Sequence, residues 1–472
     1  MTGSGKPQAA VLDIGKTNLK LVLVDPEGDC TASISRLHDF LLDEPYPAID
    51  VDGIIDWFLD GLAGFAGRHQ ISALVTTAHG GGGVLVDEAG AVLPMMDYEA
   101  ATPPEIDALY ALEGPPYEEV FSFTGAGAMQ LAKQLTWQAE CFPQAFARAQ
   151  HFLTTAQYVA WRLGGVPASE VSQLGAQGHV WNPRAGTLSN FVRRRGFSRL
   201  FPPLSRAGEV LGHLRPDWAA RTGLARNTEV LCGVHDSNAN LFRYKAAGLS
   251  DHTVLSTGTW MIGFDRRCPL DRLDGARAMV SNVDVDGEIV SSTLTMTGRE
   301  YAMIAGSQPA PDDAAIAALR DLIARGTLPL PSFGPHDGLF PGSGRRGRFV
   351  GPPPAAVTEA GAAAALYVAL TASACLDALG SRAPIVVDGG FSTNIAFGRL
   401  LAALRPGQPV ALSQSPHGTA LGAGLLWGRF SRTAPVKIPL LPSEPLVLPG
   451  LREAAVRWAR LAAEPDPAAL SA

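Results

Sequence analysis

The chain has 472 residues, 46% of them apolar, with a formal charge of −7. That length accommodates two domains with substantial cores, and the acid excess excludes a broad basic field for nucleic acid or an anionic membrane. Cys30, Cys141, Cys232, Cys268 and Cys375 stand singly without metal-ligand spacing. Their odd number argues against a disulfide framework, so free thiols in a reducing cytoplasm are expected. The N-terminal MTGSGKPQAA lacks an apolar signal core.

Residues 9–25 read AAVLDIGKTNLKLVLVD. An apolar run meets Asp13, breaks at Gly15-Lys16-Thr17-Asn18 and resumes, which predicts strand, tight turn and strand. Gly15 permits a backbone that exposes successive N–H groups, a concavity suited to phosphate. Asp13 at its mouth suits a hydrated Mg²⁺; an ordinary hairpin with an acidic turn is the alternative. Residues 71–97 predict a strand ending at His79, a four-glycine loop, and two short strands joined at Asp87-Glu88-Ala89-Gly90. Residues 128–165 predict two helices with Trp137 and Trp161 in the core.

Residues 229–241, EVLCGVHDSNANL, predict a strand ending at Gly233-Val234 and a helix starting at His235-Asp236. Asp236 reads as a helix N-cap or as a general base at the carboxyl end of a strand. A base needs its carboxylate free for substrate. Residues 252–264, HTVLSTGTWMIGF, repeat the first pattern, with a turn at Ser256-Thr257-Gly258-Thr259. The two hairpins lie about half the chain apart, which predicts a duplicated architecture.

Proline-rich stretches near 309–311, 328–335 and 351–354 predict long loops. Arg345, Arg346 and Arg348 form a basic cluster that reads as a solvated loop or an anion site. Residues 360–376 are uncharged and alanine-rich but short for a membrane span, so a buried core helix is expected. Residues 383–397 predict the strand Ile385-Val386-Val387, the turn Asp388-Gly389-Gly390 and a helix from near Ser392. Residues 410–425 predict strand, turn and helix again, and a short helix is expected over 451–462.

In this order the motifs resemble the FGGY carbohydrate kinases of the actin-like ATPase superfamily. DIGKTN resembles the first phosphate motif, GVHDSNANL the catalytic segment, LSTGTW the second phosphate motif, DGGFSTN the adenosine motif and HGTALGAG the final helix-opening signature. The resemblance covers about residues 8–430. It implies an α/β fold of two actin-like, ribonuclease H-like domains around an interdomain cleft. Residues 8–242 would carry the sugar and the first phosphate loop, 243–432 the nucleotide, and 433–472 a tail. Two departures stand out. Lys16 occupies a position where many members carry a small hydroxyl residue, and PGSGRRGRF at 341–349 lacks the glutamate of a common Gly-Glu-Arg motif.

The resemblance implies ATP-dependent phosphorylation of a sugar hydroxyl, with Mg²⁺. Asp236 would be the general base and touch the sugar, and Asp13 would hold the metal through water. His79, Asp97, Gln130 and His235 would face the sugar, because carboxylates and imidazoles exchange hydrogen bonds with hydroxyls. For Asp97 a plain turn residue and for His79 a satisfied loop histidine are the alternatives. Gly15, Lys16, Thr17, Asn18, Thr257, Gly258, Thr259, Gly389, Gly390 and Asn394 would border the nucleotide. Lys16 adds positive charge there or points to solvent. His235 before the aspartate resembles the rhamnulose and fuculose kinases, so a deoxyketose is the expected acceptor. Another ketose or polyol, such as ribulose, xylulose or glycerol, is the alternative, as is an acid. The non-catalytic rival is an actin-like sugar sensor or assembly ATPase. A sensor calls for a DNA-binding extension, which the sequence lacks, and a pseudokinase for a lost acidic residue, yet Asp13 and Asp236 are both present. A cytoplasmic protein is expected, binding neither nucleic acid nor membrane; a homodimer stays open.

Overall fold

The computed structural model describes residues 6–42, 45–306 and 313–464. The loop expected near 309–311 lies outside them. The chain divides into two compact units. The first comprises residues 1–250, 281–289 and 417–437; the second comprises 251–280, 290–416 and 438–472. The expected crossing at residue 243 therefore falls at 250/251. The segment His417–Lys437, expected in the second domain as far as 432 and in the tail beyond it, groups with the first unit.

The first unit is built on a sheet with strand order Val210–His213, Glu229–Leu231, Ile71–Ala78, Gln8–Ile14, Asn18–Val24 and Cys30–Leu37. The expected hairpin is present: Gln8–Ile14 pairs antiparallel with Asn18–Val24, in a register that sets Asp13 opposite Lys20. Gln8–Ile14 also pairs parallel with Ile71–Ala78, which in turn pairs parallel with the short strand Val234–His235. One face is covered by the helix Val51–Ala66. Its Ile54, Ile55, Phe58, Leu59, Leu62 and Phe65 recur at helical spacing and are buried. Asp50 caps it by accepting from the Gly53 N–H at 3.0 Å.

Residues 128–165 hold more than two helices. Leu131–Cys141, Pro143–Arg148 and Thr155–Leu163 are helical, and between them His151–Thr154 is a strand on Gly83–Asp87. Four residues are too few for a visible alternation, so pairing decides. Trp137 is buried beside Tyr46, and Trp161 packs partly buried against the main core.

The second unit repeats the hairpin motif. Thr253–Thr257 pairs antiparallel with Met261–Asp265 and parallel with Ile385–Gly389. Val410–Ser413 and Leu440–Pro442 extend the sheet on that side. The apolar helix Val357–Leu379 is the core helix expected, with Ala362 to Ala369 within 1% of full burial. The first part of the loop expected at 328–335 is instead the strand Leu328–Leu330, paired with Arg348–Val350. The C-terminal helix runs Leu451–Ala463, held by the buried Trp458, whose indole N–H donates to the Pro329 carbonyl.

Strand Val410–Ser413 and helix Gly418–Gly424 match the last expected pair, but they belong to different units. The helix goes to the first unit because it packs directly on Asp236–Ala246. A Cβ on Gly422 would stand 1.9 Å from the Ala239 carbonyl oxygen. Gly422→Ala is therefore expected to destabilise the chain by about 1–3 kcal/mol, the cost of overpacking against rigid backbone. Gly361 lies in a helix with nothing within 4 Å of its would-be Cβ, so Gly361→Ala is expected to stabilise by about 0.5–1 kcal/mol. Thermal midpoints of the two variants should move in opposite directions.

Candidate active site

Parallel strands deliver their carboxyl ends to one edge of a sheet. In the first unit Ile14 and His235 are both in register with Ala78. The residues that follow these three positions are Gly15, His79 and Asp236.

Asp236 is the first residue of the helix Asp236–Ala246, and His235 occupies the cap position without a side-chain cap bond. The N-cap reading of Asp236 is thereby corrected. Its carboxylate accepts through Oδ1 from the Ser237 N–H at 2.5 Å and hydroxyl at 3.2 Å, and lies 3.2 Å from His235 Nε2. Oδ2 has no partner among the described residues, and the side chain is 29% exposed. The carboxylate sits at the first position of its helix. His235 Nδ1 lies 3.1 Å from the Asn238 amide nitrogen. An amide N–H donating there leaves the ring proton on Nε2, directed at Asp236. Burial lowers the pKa of His235, against the pull of Asp236, so the imidazole is the neutral donor.

Asp13 is 8% exposed, and its nearest cation is Lys20 Nζ at 3.9 Å. Burial pushes its pKa up to about 7; Lys20 opposes this and Asp236 adds to it. No described group donates a hydrogen bond to it. Mg²⁺ fits such a carboxylate. It takes one or two protein carboxylates and completes its octahedron with water and phosphate oxygens, so it does not need a cluster of three ligands, and none exists among the described residues. Lys20 escaped the sequence reading, although counting across the four-residue turn pairs it with Asp13.

His79 is 9% exposed, and neither ring nitrogen has a partner among the described residues. Its ring meets Tyr98 edge-on, centroids 4.9 Å apart. An unpaired buried imidazole is costly, so the satisfied-loop reading fails within the described structure. Lys16 does not point to solvent. Its ammonium pairs with Asp97 Oδ1, lies 3.3 Å from Glu99 Oε2, and stands 4.6 Å above the rings of both Phe40 and Tyr98. Asp97 is also a turn residue, since Oδ1 accepts from the Glu99 N–H at 3.0 Å. Gln130 is buried at the start of its helix, where its amide donates to the Phe123 carbonyl at 3.3 Å. Gln134, one turn on, is the side chain that reaches the glycine loop, at 2.7 Å from the Gly81 carbonyl.

The two phosphate-type turns use their glycines alike. The Gly15 N–H closes its turn on the Asn18 carbonyl at 3.0 Å, and the Gly258 N–H closes on Trp260 at 2.8 Å. These two amides are spent. The N–H groups of Lys16, Thr17 and Thr259 donate to no described group. Thr17 and Asn18 are exposed, as are Gly258 and Thr259. Thr257 is buried, and its hydroxyl donates to the Asp388 carbonyl at 2.5 Å while accepting from the Phe391 N–H at 2.9 Å. This stitches the second turn to Asp388-Gly389-Gly390. The helix beyond starts at Ile395 rather than near Ser392, after a short 3₁₀ turn. Asn394 caps it, accepting from the Phe397 N–H at 2.9 Å.

The buried histidines make stability pH-dependent. Burial pushes His79 and His179 down to about 4, against about 6.5 in an unfolded chain. Their contribution is complete above pH 6.5. It is lost as pH falls toward 4, because the unfolded chain takes up protons that the folded chain refuses. His79→Gln is expected to flatten the fall in thermal midpoint between pH 7 and 5; an unchanged slope refutes this assignment.

The sequence profile of the FGGY family of carbohydrate kinases, N-terminal domain, matches residues 9–242, and that of the FGGY carbohydrate kinase C-terminal domain matches residues 250–435. A carbohydrate kinase from Novosphingobium aromaticivorans is 32% identical, covering 97% of this chain and 99% of its own, with a TM-score of 0.87. L-fuculokinase of Escherichia coli K12 is 27% identical over 270 residues, 55% of this chain and 57% of the relative, so the match spans little more than half of that protein's length. Xylulose kinase from Lactobacillus acidophilus has the same fold, at 15% identity and a TM-score of 0.78 over 97% of this chain. With both domain profiles matched in order and a relative of this identity aligned end to end, the chain belongs to the FGGY family of carbohydrate kinases.

Proposed function

We propose that the chain transfers the γ-phosphoryl group of ATP to a hydroxyl of a ketose, with Asp236 as general base. The observation that carries this reading is the asymmetry of the Asp236 carboxylate. All its protein hydrogen bonds fall on Oδ1, and Oδ2 is left for a substrate hydroxyl. In the step, Oδ2 takes the proton, the sugar oxygen bonds to phosphorus, and the bond from phosphorus to the ADP oxygen breaks. His79, with two unpaired ring nitrogens, and Asp97 are the acceptor contacts of this reading. Bound Mg²⁺ neutralises phosphate charge, and Asp13 is the carboxylate to hold it. In the first unit the N–H groups of Lys16 and Thr17 are the amide donors that this reading assigns to phosphoryl oxygens.

The reading gives the first unit the acceptor and the base, and the second the adenosine. Of the two glycines in the Asp388-Gly389-Gly390 turn, one supports the latter. Gly389 has φ 84°, and a Cβ there would stand 1.9 Å from the Thr257 carbonyl oxygen, so packing within the unit accounts for it. Gly390 has no such reason. Its nearest would-be neighbour is at 3.8 Å and its φ is unexceptional. Its bare, exposed backbone suits a flat ligand.

A deoxyketose such as L-fuculose or L-rhamnulose is the proposed acceptor, supported by His235 before the base and by the likeness to an L-fuculokinase. A panel of L-fuculose, L-rhamnulose, ribulose, xylulose and glycerol, read by ADP release, tests it; turnover with glycerol but no ketose refutes it. With the accepted sugar, Asp236→Asn is expected to lower turnover by about 10²–10⁴ while ATP affinity and thermal midpoint hold. Near-normal turnover removes the base assignment. Gly390→Val is expected to weaken ATP binding about tenfold or more, a loss of about 1.4 kcal/mol, with little change in thermal midpoint. Gly389→Ala should instead lower the midpoint. The reverse pattern overturns the adenosine assignment.

A further inference from the structure

Beside the strand ends lies a buried polar turn that the proposed reaction does not use. Glu170 is 0% exposed and caps the four-residue helix Val171–Leu174. Its Oε1 accepts from the Ser172 N–H at 3.0 Å. Its Oε2 accepts from the Gln173 N–H at 3.0 Å and from the Ser172 hydroxyl at 2.6 Å. The Ser172 oxygen in turn accepts from the His235 N–H at 3.2 Å. The Gln173 amide donates to two carbonyls at once, those of Ala78 and Val234, each at 3.2 Å.

These contacts fall where the strand ladder runs out. Ala78 and His235 are its last paired residues, and the next positions are His79 and Asp236. Beyond that pair no ladder bond fixes the spacing of the two chains. Gln173 ties the strands together from the side, and Ser172 holds the peptide N–H of His235. His235 is the residue whose ring directs Nε2 at Asp236.

We propose that Glu170, Ser172 and Gln173 form a positioning unit that fixes His79 against the His235–Asp236 pair. None of the three touches the acceptor. Glu170 locks Ser172 and Gln173, Ser172 sets the His235 peptide, and Gln173 sets the distance between the two strand ends. A capping role alone is satisfied by the two backbone contacts to Glu170. It leaves the Gln173 bridge and the Ser172–His235 bond without purpose. Burial of a carboxylate is costly even when it is hydrogen-bonded; burial pushes Glu170 up to about 7 despite its three donors. A displacement near 1 Å at a reacting group is worth about a hundredfold in rate, so a small slackening here shows in turnover before it shows in stability.

The inference rests on the kinase reading, and the test separates the two. Ser172→Ala and Gln173→Leu are assayed with the sugar accepted by the wild-type chain, recording kcat, KM for ATP, KM for sugar and thermal midpoint. Ser172→Ala removes one hydroxyl and is the variant expected to fold. It should lower kcat about tenfold or more, with KM for ATP within about twofold, because the nucleotide contacts are untouched. Added to Asp236→Asn it should cost almost nothing further, since the base it positions is gone. Unchanged kcat with a lowered midpoint, or full multiplication of the two losses, makes the turn merely structural and overturns the proposal. A wild-type chain that phosphorylates no sugar of the panel overturns the kinase reading, and this proposal with it.

Discussion

The parallel pairing of Ile71–Ala78 with Gln8–Ile14 on one side and Val234–His235 on the other is the constraint on which the first unit depends. Parallel strands end at a common edge, so three segments far apart in sequence release their next residues at one place. Ligand sites of open α/β sheets form at carboxyl ends of strands for this reason. The turn after Ile14 supplies free amides, the loop after Ala78 supplies an imidazole, and the helix after His235 supplies a carboxylate. No side-chain contact is needed to gather them; backbone register does it.

Gathering charged groups at a buried edge is expensive, and the first unit meets the cost unevenly. Asp236 stays partly exposed to solvent. Asp13 is not spared: its cross-strand partner Lys20 stops at 3.9 Å, and Asp236 lies near enough to repel it. His79 gives up protonation instead. Thus one carboxylate keeps an oxygen without a partner among the described residues, one is short of positive charge, and one imidazole stays neutral with both nitrogens unpaired among the described residues. Under the proposed kinase reading, a sugar hydroxyl and a metal-bound phosphate would meet the three needs together. A unit designed for stability alone would fill the same edge with apolar side chains.

The two hairpins, the helix after Asp236 and the buried helix Val357–Leu379 were legible in the sequence because each has a strong local signal, apolar runs broken by glycine or a long uncharged stretch. The four-residue strand His151–Thr154 and the strand Leu328–Leu330 were not. Both are too short to show a run of alternation and are fixed by their pairing partners. The return of Gly418–Gly424 to the first unit was hidden for a similar reason. It rests on Gly422 lying against the Ala239 backbone, a fact of packing. Among site residues, the acids and glycines announced themselves by position after strands. Glu170, Ser172 and Gln173 did not, because a buried polar turn reads in sequence like any short loop.

Lys16 shows how a single departure from a family pattern acquires physical meaning. A lysine in a phosphate turn reads first as a phosphate ligand. Here its ammonium is committed to Asp97 and Glu99 and lies over two aromatic rings. Asp97 and Glu99 compensate its charge and hold the ammonium at the loop. The side chain serves as a strut from the first phosphate turn to the loop that carries Asp97. Asp97 becomes partly neutralised and held in place, able to accept from a hydroxyl with its remaining oxygen. Asp13 and Asp236, which repel each other, add to the acidic character of the strand ends in the first unit. Under the proposed kinase reading, this acidic end of the first unit would favour an uncharged polyhydroxylated acceptor over a sugar acid, while the Lys16 side chain stays with Asp97 and only its backbone N–H is left for phosphate.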